Sequence, residues 1–342
     1  MPPHHTIRNP TPFPTEVRLN TMPQPERENP DGPARPVVLV AGASGYVGGR
    51  LVPLLERQPV VLRCLARNPD KLRPLVGTFT QVVRGDVLAP GSLDGALQGV
   101  HTAYYLVHLM SGSKDFEKED RQAATNFAQA AKKAGVRRII YLGGLGDDAD
   151  PKLSPHLRSR HEVGQILRES GVETVEFRAS LVIGTGSLSF DLVKSLTDRL
   201  PVMLCPRWLT TPTQPIAVDD LLTYLLAAKD LPPGESRTFE IGCPDVTTYG
   251  GMIREYARQK GLRRWLISVP VLTPYLSSLW LALVTPAAFE VGRHLIEGLK
   301  NPTVVRDRTA LEVFPIRPMG IREAIQKALA STTEAVTSSS SP

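Results

Sequence analysis

The chain has 342 residues, of which 42% are hydrophobic and 22% are charged, as in an ordinary soluble globular protein. Its net charge of +6 arises from interleaved basic and acidic residues, without the basic and aromatic interleaving of a nucleic-acid platform. We therefore expect no nucleic-acid partner and a bias toward anionic small molecules. The three cysteines have no paired spacing, which indicates free thiols in a reducing, cytoplasmic compartment and neither a disulfide framework nor a metal site.

The two ends differ in composition from the rest of the chain. Residues 1–35 are rich in proline and residues 331–342 are rich in serine and threonine. We expect both segments to be disordered, because neither can bury enough apolar surface to offset the entropy of ordering. The first segment lacks the apolar core of a signal peptide, and either Met1 or Met22 could be the true start.

Strand-like apolar runs and helical spacings alternate from residue 36 onward. The predicted strands are Pro36–Ala41, Val60–Ala66, Thr80–Val87, Thr102–Leu109, Arg138–Leu142, Thr174–Ile183, Thr213–Val218 and Thr238–Gly242. The predicted helices are Gly45–Arg57, one beginning at Asn68, Ser92–Leu97, Lys114–Ala134, Leu157–Ser170, Phe190–Leu200, one beginning at Asp219, and Tyr249–Lys260. This alternation predicts an α/β fold with a doubly wound parallel sheet over residues 36–185. The less regular part, residues 186–330, predicts a smaller C-terminal lobe interwoven with the sheet.

A glycine-rich turn separates the first predicted strand from the first helix. In a turn of this kind the first glycine permits the tight bend, the second lets the backbone approach a pyrophosphate, and the third lets the helix pack on the sheet. The spacing Gly-x-x-Gly-x-x-Gly is one residue longer than the dehydrogenase fingerprint, so the strand–turn–helix context carries the argument. It predicts a dinucleotide site in a Rossmann domain, and a tight turn without a ligand is the alternative. The residues of this site are Gly42, Ser44, Gly45, Tyr46, Val47 and Gly48.

The end of the second strand selects between NAD and NADP in such domains. An acidic residue there would bind the ribose 2′-hydroxyl, but this chain has Arg63 and Arg67 and no acid before Asp70. A guanidinium at position 67 suits a 2′-phosphate, so we predict that NADP(H) is preferred over NAD(H). A solvated strand-end arginine is the alternative. Asp86 either binds the adenine amino group, with Val87 packed on the ring, or merely ends its strand in a turn.

These features together resemble the atypical short-chain dehydrogenase/reductases, in particular their NmrA-like, YbjT-like branch. The resemblance covers roughly residues 36–302. The segments that carry it are Ala41–Gly49, Gly85-Asp86-Val87, Ala103–His108, Pro206-Arg207-Trp208 and Pro215–Asp220. It implies NAD(P) extended across the strand ends, with Leu106, Val107 and His108 along the path to the nicotinamide and residues 178–183 beside it. It also implies that Asn126 belongs to a proton-relay network.

The catalytic pattern of that family is replaced in this chain. Typical members carry a serine after the fifth strand and then Tyr-x-x-x-Lys, in which the tyrosine donates a proton and the lysine holds the nicotinamide ribose. Here no hydroxyl follows Leu142, and His156 and Arg160 occupy the tyrosine and lysine positions. A histidine can donate a proton near neutral pH, whereas an arginine can bind ribose but cannot relay protons. The alternative for His156 is a solvated residue at a helix start. His108 and His161 are rival acids, and their alternative roles are structural or cofactor-lining.

The C-terminal half contains two further segments that could contact a substrate, a membrane or another copy of the chain. Arg207 and Trp208 are predicted to face the substrate, where they could bind an anionic group and stack on a ring; ordinary packing at the hinge of the lobe is the alternative. Residues 265–286 are apolar, but prolines interrupt them and their clean run is too short for a membrane span. They could make a weak membrane-surface contact, cap the substrate pocket or form an oligomer interface.

The sequence thus predicts an NAD(P)H-binding oxidoreductase that uses NADPH to reduce an apolar carbonyl, quinone or enone. The missing serine and tyrosine leave open a non-catalytic, redox-sensing protein of the NmrA-like type. A sugar-nucleotide epimerase is a weaker alternative, because it would normally keep the tyrosine and lysine. In each case the partner is a small molecule, and no metal is implied.

Overall fold

The computed structural model describes residues 35–109, 115–205, 207–268 and 299–339. The strands in these ranges are β1 (Val37–Ala41), β2 (Val61–Ala66), β3 (Gln81–Arg84), β4 (Val100–Tyr105), β5 (Arg138–Gly144), β6 (Glu173–Ala179), β7 (Val182–Ile183), β8 (Val202–Cys205), β9 (Pro212–Thr213), β10 (Ile216–Ala217), β11 (Arg237–Ile241), β12 (Thr247–Thr248) and β13 (Trp265–Ser268). The helices are α1 (Tyr46–Leu55), α2 (Pro69–Leu72), α3 (Leu93–Leu97), α4 (Phe116–Lys133), α5 (Pro155–Glu169), α6 (Leu188–Arg199), α7 (Val218–Ala228), α8 (Tyr249–Gln259), α9 (Thr309–Val313) and α10 (Ile321–Ser339).

Local sequence signals set the ends of the helices that matter for the site. The helix α5 begins where the Ser154 side chain accepts a hydrogen bond from the Leu157 amide, with proline at the first helical position. The helix α4 is followed by Gly135, whose φ of +71° gives the left-handed conformation that ends a helix. Pro53 lies inside α1, which ends two residues later at Leu55. The predicted shortening of this helix by proline fits that boundary.

Seven parallel strands form the central sheet, in the order β11-β6-β5-β4-β1-β2-β3. Apolar residues of α1, α7 and α9 pack on one face of this sheet, and those of α3, α4 and α5 pack on the other. The strand order reverses between β1 and β4, and ligands of open α/β sheets bind at the carboxyl ends of the strands at this point. The structure confirms the doubly wound parallel sheet.

Beyond the carboxyl end of β6 the chain builds three small two-stranded sheets. They pair β7 with β10 and β8 with β13 in parallel, and β9 with β12 antiparallel. A third apolar cluster, formed mainly by α6, α8 and α10, packs with them. The predicted strand over residues 174–183 is therefore two strands, since the Ile216 amide binds the Leu181 carbonyl and draws the chain out of the main sheet.

An ionic cluster ties β6 to α5. Glu176 is fully buried and forms ion pairs with Arg168 and with Arg178, whose Nε lies 2.9 Å from Oε1 of the carboxylate. A second group of Arg178, Nη1, lies 2.8 Å from a carboxylate oxygen of Asp148. Asp148 is also 2.5 Å from Nδ1 of His161, and Nε2 of that ring is 2.9 Å from the carbonyl oxygen of Gly144. The bond from Nε2 of His161 to Gly144 holds the end of β5, whereas Nδ1 lies close to Asp148 without a hydrogen-bond partner among the described residues.

Three predicted segments differ from the structure or lie partly outside the described residues. The helix α10 continues to Ser339, past the predicted start of a disordered tail at residue 331, because alanine and glutamate extend its helical stretch. The predicted extension over residues 1–35 lies outside the described residues except for Arg35. Of the apolar segment 265–286, only the strand β13 is described, and its Trp265 and Ile267 are exposed. No helix within the described ranges is long and apolar enough to cross a membrane.

Candidate active site

The glycine turn lies between β1 and α1 and is shaped by close backbone approaches. Gly42 has a φ of +94°, and a Cβ atom there would lie 2.6 Å from the carbonyl oxygen of Leu106 at the end of β4. A Cβ at Gly48 would overlap the carbonyl oxygen of Gly42 and lie 2.8 Å from its carbonyl carbon. The Gly45 amide closes the turn by donating to the Gly42 oxygen at 2.9 Å. The first and third glycines are therefore required by packing, as the sequence predicts.

The start of α1 suits a phosphate group. No side chain caps it at Gly45, and its first turn contains no acidic residue. The amide groups there are available to an anion that also meets the positive end of the helix dipole. Ser44 and Gly45 are exposed, while Tyr46 and Val47 are half-buried. The Tyr46 hydroxyl is buried without a hydrogen-bond partner among the described residues, and burial raises its pKa to about 12.

Two exposed arginines at the carboxyl ends of β2 and β3 have no hydrogen-bond or ion-pair partner among the described residues. Arg67 follows β2, is exposed, and makes no hydrogen bond or ion pair within the described residues. Arg63 is engaged instead, because its guanidinium donates to the carbonyl oxygens of Ala96 and Gln98 at 2.7 and 2.9 Å. Arg84 ends β3 and pairs in register with the last residue of β2, so a second exposed guanidinium lies at the same edge of the sheet. Arg84 is not among the site residues predicted from the sequence.

Asp86 and Asn126 are used locally in this structure. A carboxylate oxygen of Asp86 accepts a hydrogen bond from the Leu88 amide at 3.0 Å, the arrangement of a turn that ends a strand. The Asn126 side chain donates to the Val87 carbonyl at 2.9 Å and accepts from Gln122 at 2.8 Å. These bonds place Asn126 beside the residues predicted to contact adenine. Its part in proton relay stays a prediction, and so does the adenine contact of Asp86.

A chain of hydrogen-bonding side chains links α4, β4 and α5. Nε2 of His108, just after β4, lies 3.2 Å from Nδ1 of His156 in the first turn of α5. Nδ1 of His108 lies 3.1 Å from a carboxylate oxygen of Asp120 on α4. Asp120 is only 2% exposed and also accepts hydrogen bonds from the Ser159 hydroxyl at 2.9 Å and from the Leu109 amide at 3.0 Å. The structure therefore brings together two histidines that the sequence proposes as rivals.

The charge states of this chain follow from its surroundings. Burial raises the pKa of Asp120, but the hydrogen bonds from His108 and from the Leu109 amide outweigh it, so the pKa is lowered overall. Burial lowers the pKa of His108, and nearby Arg160 lowers it further, against the opposing effect of Asp120. At neutral pH the site therefore holds an ionised carboxylate beside a neutral imidazole.

Arg160, which the sequence predicts at the position of the lysine in typical short-chain dehydrogenase/reductases, is largely engaged with the backbone. Its guanidinium donates to the carbonyl oxygens of Leu142 and Val107 and lies 4.9 Å from the ring centroid of Tyr141. These bonds join the carboxyl ends of β4 and β5 beside the His108 ring. Its contact with a nicotinamide ribose stays a prediction.

A largely apolar cavity of about 100 Å³ lies beside His156, at the carboxyl ends of β5 and β6. Its lining includes His156, Leu157, Leu181, Leu192, Tyr249 and Thr303. Ser180 also lines it, and its hydroxyl oxygen lies 2.6 Å from that of Thr303 and 2.7 Å from that of Thr213. Tyr249 hydrogen-bonds to Thr213, and burial raises the pKa of the tyrosine. The cavity thus combines one imidazole with a cluster of neutral hydroxyl groups.

Trp208 packs behind this cavity. It is 6% exposed and meets Tyr249 edge-on, with the two ring centroids 6.1 Å apart. Its indole nitrogen is buried without a hydrogen-bond partner among the described residues. Arg207 begins a short 3-10 turn, and its side chain lies outside the described part of the structure. The substrate contacts predicted for both residues stay predictions, and the packing of Trp208 fits its alternative role at a hinge.

Asp120 and the cluster of hydroxyl groups are not among the residues predicted from the sequence. Asp120 had a detectable signal, because it lies on the buried face of α4 four residues after Phe116 and seven before Phe127. A charged residue at such a position is rarely buried without a partner. Ser180, Thr213 and Thr303 come from distant parts of the chain and had no comparable signal.

Comparison with known proteins agrees with this geometry. Residues 42–181 match the protein family described as NAD(P)H-binding. A ceramide reductase from Caulobacter vibrioides is 26% identical over 275 residues, which cover 76% of this chain and 83% of that protein. The structure of Citrobacter sp. triphenylmethane reductase with NADP(H) has a TM-score of 0.68 at 17% identity, covering 85% of this chain and 99% of that one. An NADPH-dependent quinone oxidoreductase from Escherichia coli in complex with NADPH has a TM-score of 0.65 at 18% identity, with coverage of 84% and 98%. The family match confirms an NAD(P)H-binding domain of the kind that the sequence resemblance implies, and the solved structures confirm the fold.

Proposed function

We propose that this chain, which carries the NAD(P)H-binding domain of the Rossmann-fold reductases, is an NADPH-dependent reductase of an apolar carbonyl, quinone or enone. The observation that carries this proposal is the position of His156. It lines a largely apolar cavity at the carboxyl ends of β5 and β6, the side of the sheet on which the glycine turn also lies, and we place the nicotinamide and the substrate there. When bound there, the dinucleotide would supply a hydride.

The residues of the cavity can supply the other needs of such a reaction. His156 in its protonated form can donate a proton to the substrate oxygen. The hydroxyl groups of Ser180 and Thr303 can hydrogen-bond that oxygen, while Leu181 and Leu192 exclude water and favour an apolar substrate. Ceramide, triphenylmethane dyes and quinones, for which the related reductases are named, are largely apolar molecules. We infer the same class of substrate for this chain.

We also propose that Arg67 makes NADPH the preferred cofactor, with Arg84 as a second cation beside the 2′-phosphate. The support is that both guanidiniums are exposed at one edge of the sheet without described partners. A planar guanidinium can hold a phosphate through two charge-assisted hydrogen bonds.

The free, buried cysteines fit a reducing compartment, and we assign the protein to the cytoplasm on that basis.

The cofactor assignment is tested by titrating NADPH and NADH into Arg67→Ala. Loss of hydrogen bonds to a charged group costs about 1.5–3 kcal/mol, so NADPH should bind about 10–100-fold more weakly while NADH is unaffected. Arg137→Ala is the matched control, because Arg137 is exposed next to the amino end of β5, at the opposite edge of the sheet. Equal affinities of the wild type for NADPH and NADH, or an unchanged preference in Arg67→Ala, would overturn the assignment.

The reaction is tested by following NADPH oxidation with a panel of quinones, enones, aldehydes and long-chain ketones. His156→Ala should lower kcat by about 10²–10⁴-fold, the usual contribution of a positioned acid, and leave NADPH affinity unchanged. His101→Ala is the control, since this histidine lies at the amino end of β4, away from the cavity. If the wild type binds NADPH but reduces no member of the panel, the reductase proposal fails and a non-catalytic NAD(P)H-binding protein becomes the better description.

A further inference from the structure

We propose that Asp120 and His108 are positioning residues that fix the tautomer of His156, so that its Nε2 is the nitrogen that exchanges a proton with the substrate. The catalytic half of this inference rests on the proposed reductase function. The structural half concerns which ring nitrogens of His108 and His156 are protonated in the protein without substrate, and it does not depend on a reaction. The two halves can therefore be tested separately.

Asp120 determines which nitrogen of His108 carries a proton. An ionised carboxylate only accepts hydrogen bonds, and three donors surround this one, namely Nδ1 of His108, the Ser159 hydroxyl and the Leu109 amide. Nδ1 of His108 must therefore carry a proton. Because the pKa of His108 is lowered by burial and by Arg160, the ring is neutral at pH 7, and its Nε2 is left as an acceptor.

The tautomer of His108 in turn determines the tautomer of His156. Nε2 of His108 lies 3.2 Å from Nδ1 of His156, and two acceptor nitrogens at this distance would repel each other. Nδ1 of His156 therefore carries the proton of that hydrogen bond. Neutral imidazole in water favours the opposite tautomer, with the proton on Nε2, so the network imposes a state that an isolated histidine would not prefer.

This tautomer matches the chemistry proposed for the cavity. In the acid form of His156 both ring nitrogens are protonated, and Nδ1 keeps its hydrogen bond to His108. When hydride adds to the substrate carbon, the electron pair of the carbonyl π bond goes to oxygen, which takes the proton from Nε2. His156 then becomes neutral with its remaining proton on Nδ1, the form that His108 already accepts. No ring has to turn during the step, and solvent restores the proton on Nε2 afterwards.

The charged and titratable groups packed around these rings come from four elements. Asp120 on α4 stabilises positive charge on the histidines, whereas Arg160 on α5 opposes it. Tyr105 of β4 and Tyr141 of β5 also face Asp120, and burial raises the pKa of both, so they remain neutral. Asp120 is thus the buried anion that favours the acid form of His156, and His108 transmits its effect.

The resting tautomers are tested by nitrogen NMR of the full chain labelled with ¹⁵N, at pH 7.5 and without substrate. We expect both His108 and His156 to carry their proton on Nδ1, with signals assigned from the single variants. In Asp120→Asn the amide can donate to His108 and reverse both tautomers. A wild-type His156 protonated on Nε2 would overturn the inference.

A pair of variants at position 108 keeps the test valid if Asp120→Asn does not fold. In His108→Gln the amide group can still donate to Asp120 and accept from His156, so the Nδ1 proton of His156 should persist. In His108→Leu it should be lost. His101→Gln is the control, because it removes a histidine outside the network. If His156 keeps its Nδ1 proton in His108→Leu, the proposed link does not exist.

The pH dependence of kcat, measured with a substrate that the wild type reduces, tests the catalytic half. His108→Leu should lower kcat about 10–100-fold, part of the contribution of a positioned acid, and should move the alkaline limb of the profile to lower pH. His108→Gln should recover most of that loss. A His108→Leu profile identical to that of the active wild type would refute the positioning role alone, whereas an inactive wild type would refute the proposed reductase function.

Discussion

Adjacent glycines at the start of α1 allow a sharp test of the dinucleotide site. A Cβ at Gly48 would overlap the carbonyl oxygen of Gly42 and lie 3.0 Å from the Cα of Ala43, both of them backbone atoms that cannot rotate away. A Cβ at Gly49 would meet only the Ala43 oxygen, at an ordinary 3.4 Å. Substitution by alanine at these two positions is therefore the same chemical change in two different environments.

The two variants should change stability in opposite directions. Forcing an extra carbon into a packed contact costs about 1–3 kcal/mol, which we expect for Gly48→Ala. Replacing an exposed helical glycine by alanine gains about 0.5–1 kcal/mol, which we expect for Gly49→Ala. Because Gly48→Ala must push α1 away from the turn, it also displaces the amides that would bind phosphate. We therefore expect NADPH to bind at least about tenfold more weakly to this variant alone, since each lost bond to a charged group costs about 1.5–3 kcal/mol.

Urea unfolding of the free proteins measures the stability effect, and fluorescence titration with NADPH measures binding. The comparison of the two variants cancels effects of alanine itself. Should Gly48→Ala match Gly49→Ala in both the unfolding midpoint and NADPH affinity, the turn would not be packed as described, and its role as the phosphate site would lose its structural basis.

Two further predictions concern buried charges. Glu176→Gln should destabilise the fold by about 3–5 kcal/mol, because it removes the ion-pair partner of Arg168 and leaves Arg178 with Asp148 alone. Glu162→Gln in an exposed pair should cost at most about 1 kcal/mol, and similar urea midpoints for the two variants would contradict this reasoning. Because the folded-state pKa of His108 is lowered from 6.5, the unfolded chain binds more protons below that pH, and stability should fall as the pH decreases from 7 to 5. The lowered pKa of Asp120 extends the loss below its ordinary value of 3.8. His108→Gln should flatten the decline between pH 7 and 5 in urea unfolding measured at several pH values, and an equally steep decline in that variant would exclude His108 as its source.

The central sheet was predictable because its signals are local. Apolar runs mark strands buried on both faces, and helical spacings between them require parallel neighbours and right-handed crossovers. The predicted first and second strands, Pro36–Ala41 and Val60–Ala66, each differ from β1 and β2 by one residue at the start. The glycine turn is equally local, since the three glycines act on each other and on the adjoining strand. The smaller sheets were less predictable, because their two-residue strands are defined by distant partners.

The histidine chain could not be derived from sequence, because its members meet only through the fold. His108 and His156 are 48 residues apart and come from a strand end and a helix start. Their contact depends on the register of β4 and β5 and on the path of the segment between β5 and α5. Asp120 is the exception, since its position among apolar residues of α4 shows that the fold must supply a partner for its charge.

Histidine and arginine at the positions where typical short-chain dehydrogenase/reductases carry tyrosine and lysine are physically consistent with each other. A tyrosine acid needs a nearby cation to lower its pKa from about 10 toward neutrality, whereas a histidine already titrates in that range. In the proposed reaction His156 is the acid, and a lysine-like cation is then not needed for that purpose. Arg160 instead binds the carbonyl oxygens of Val107 and Leu142. A histidine needs something different, which is control over which nitrogen carries its proton. The buried carboxylate of Asp120 can supply that control through His108, although Asp120 does not line the cavity. Where the tyrosine and lysine pair is missing, the chain therefore has a different pair of residues that suits a histidine acid.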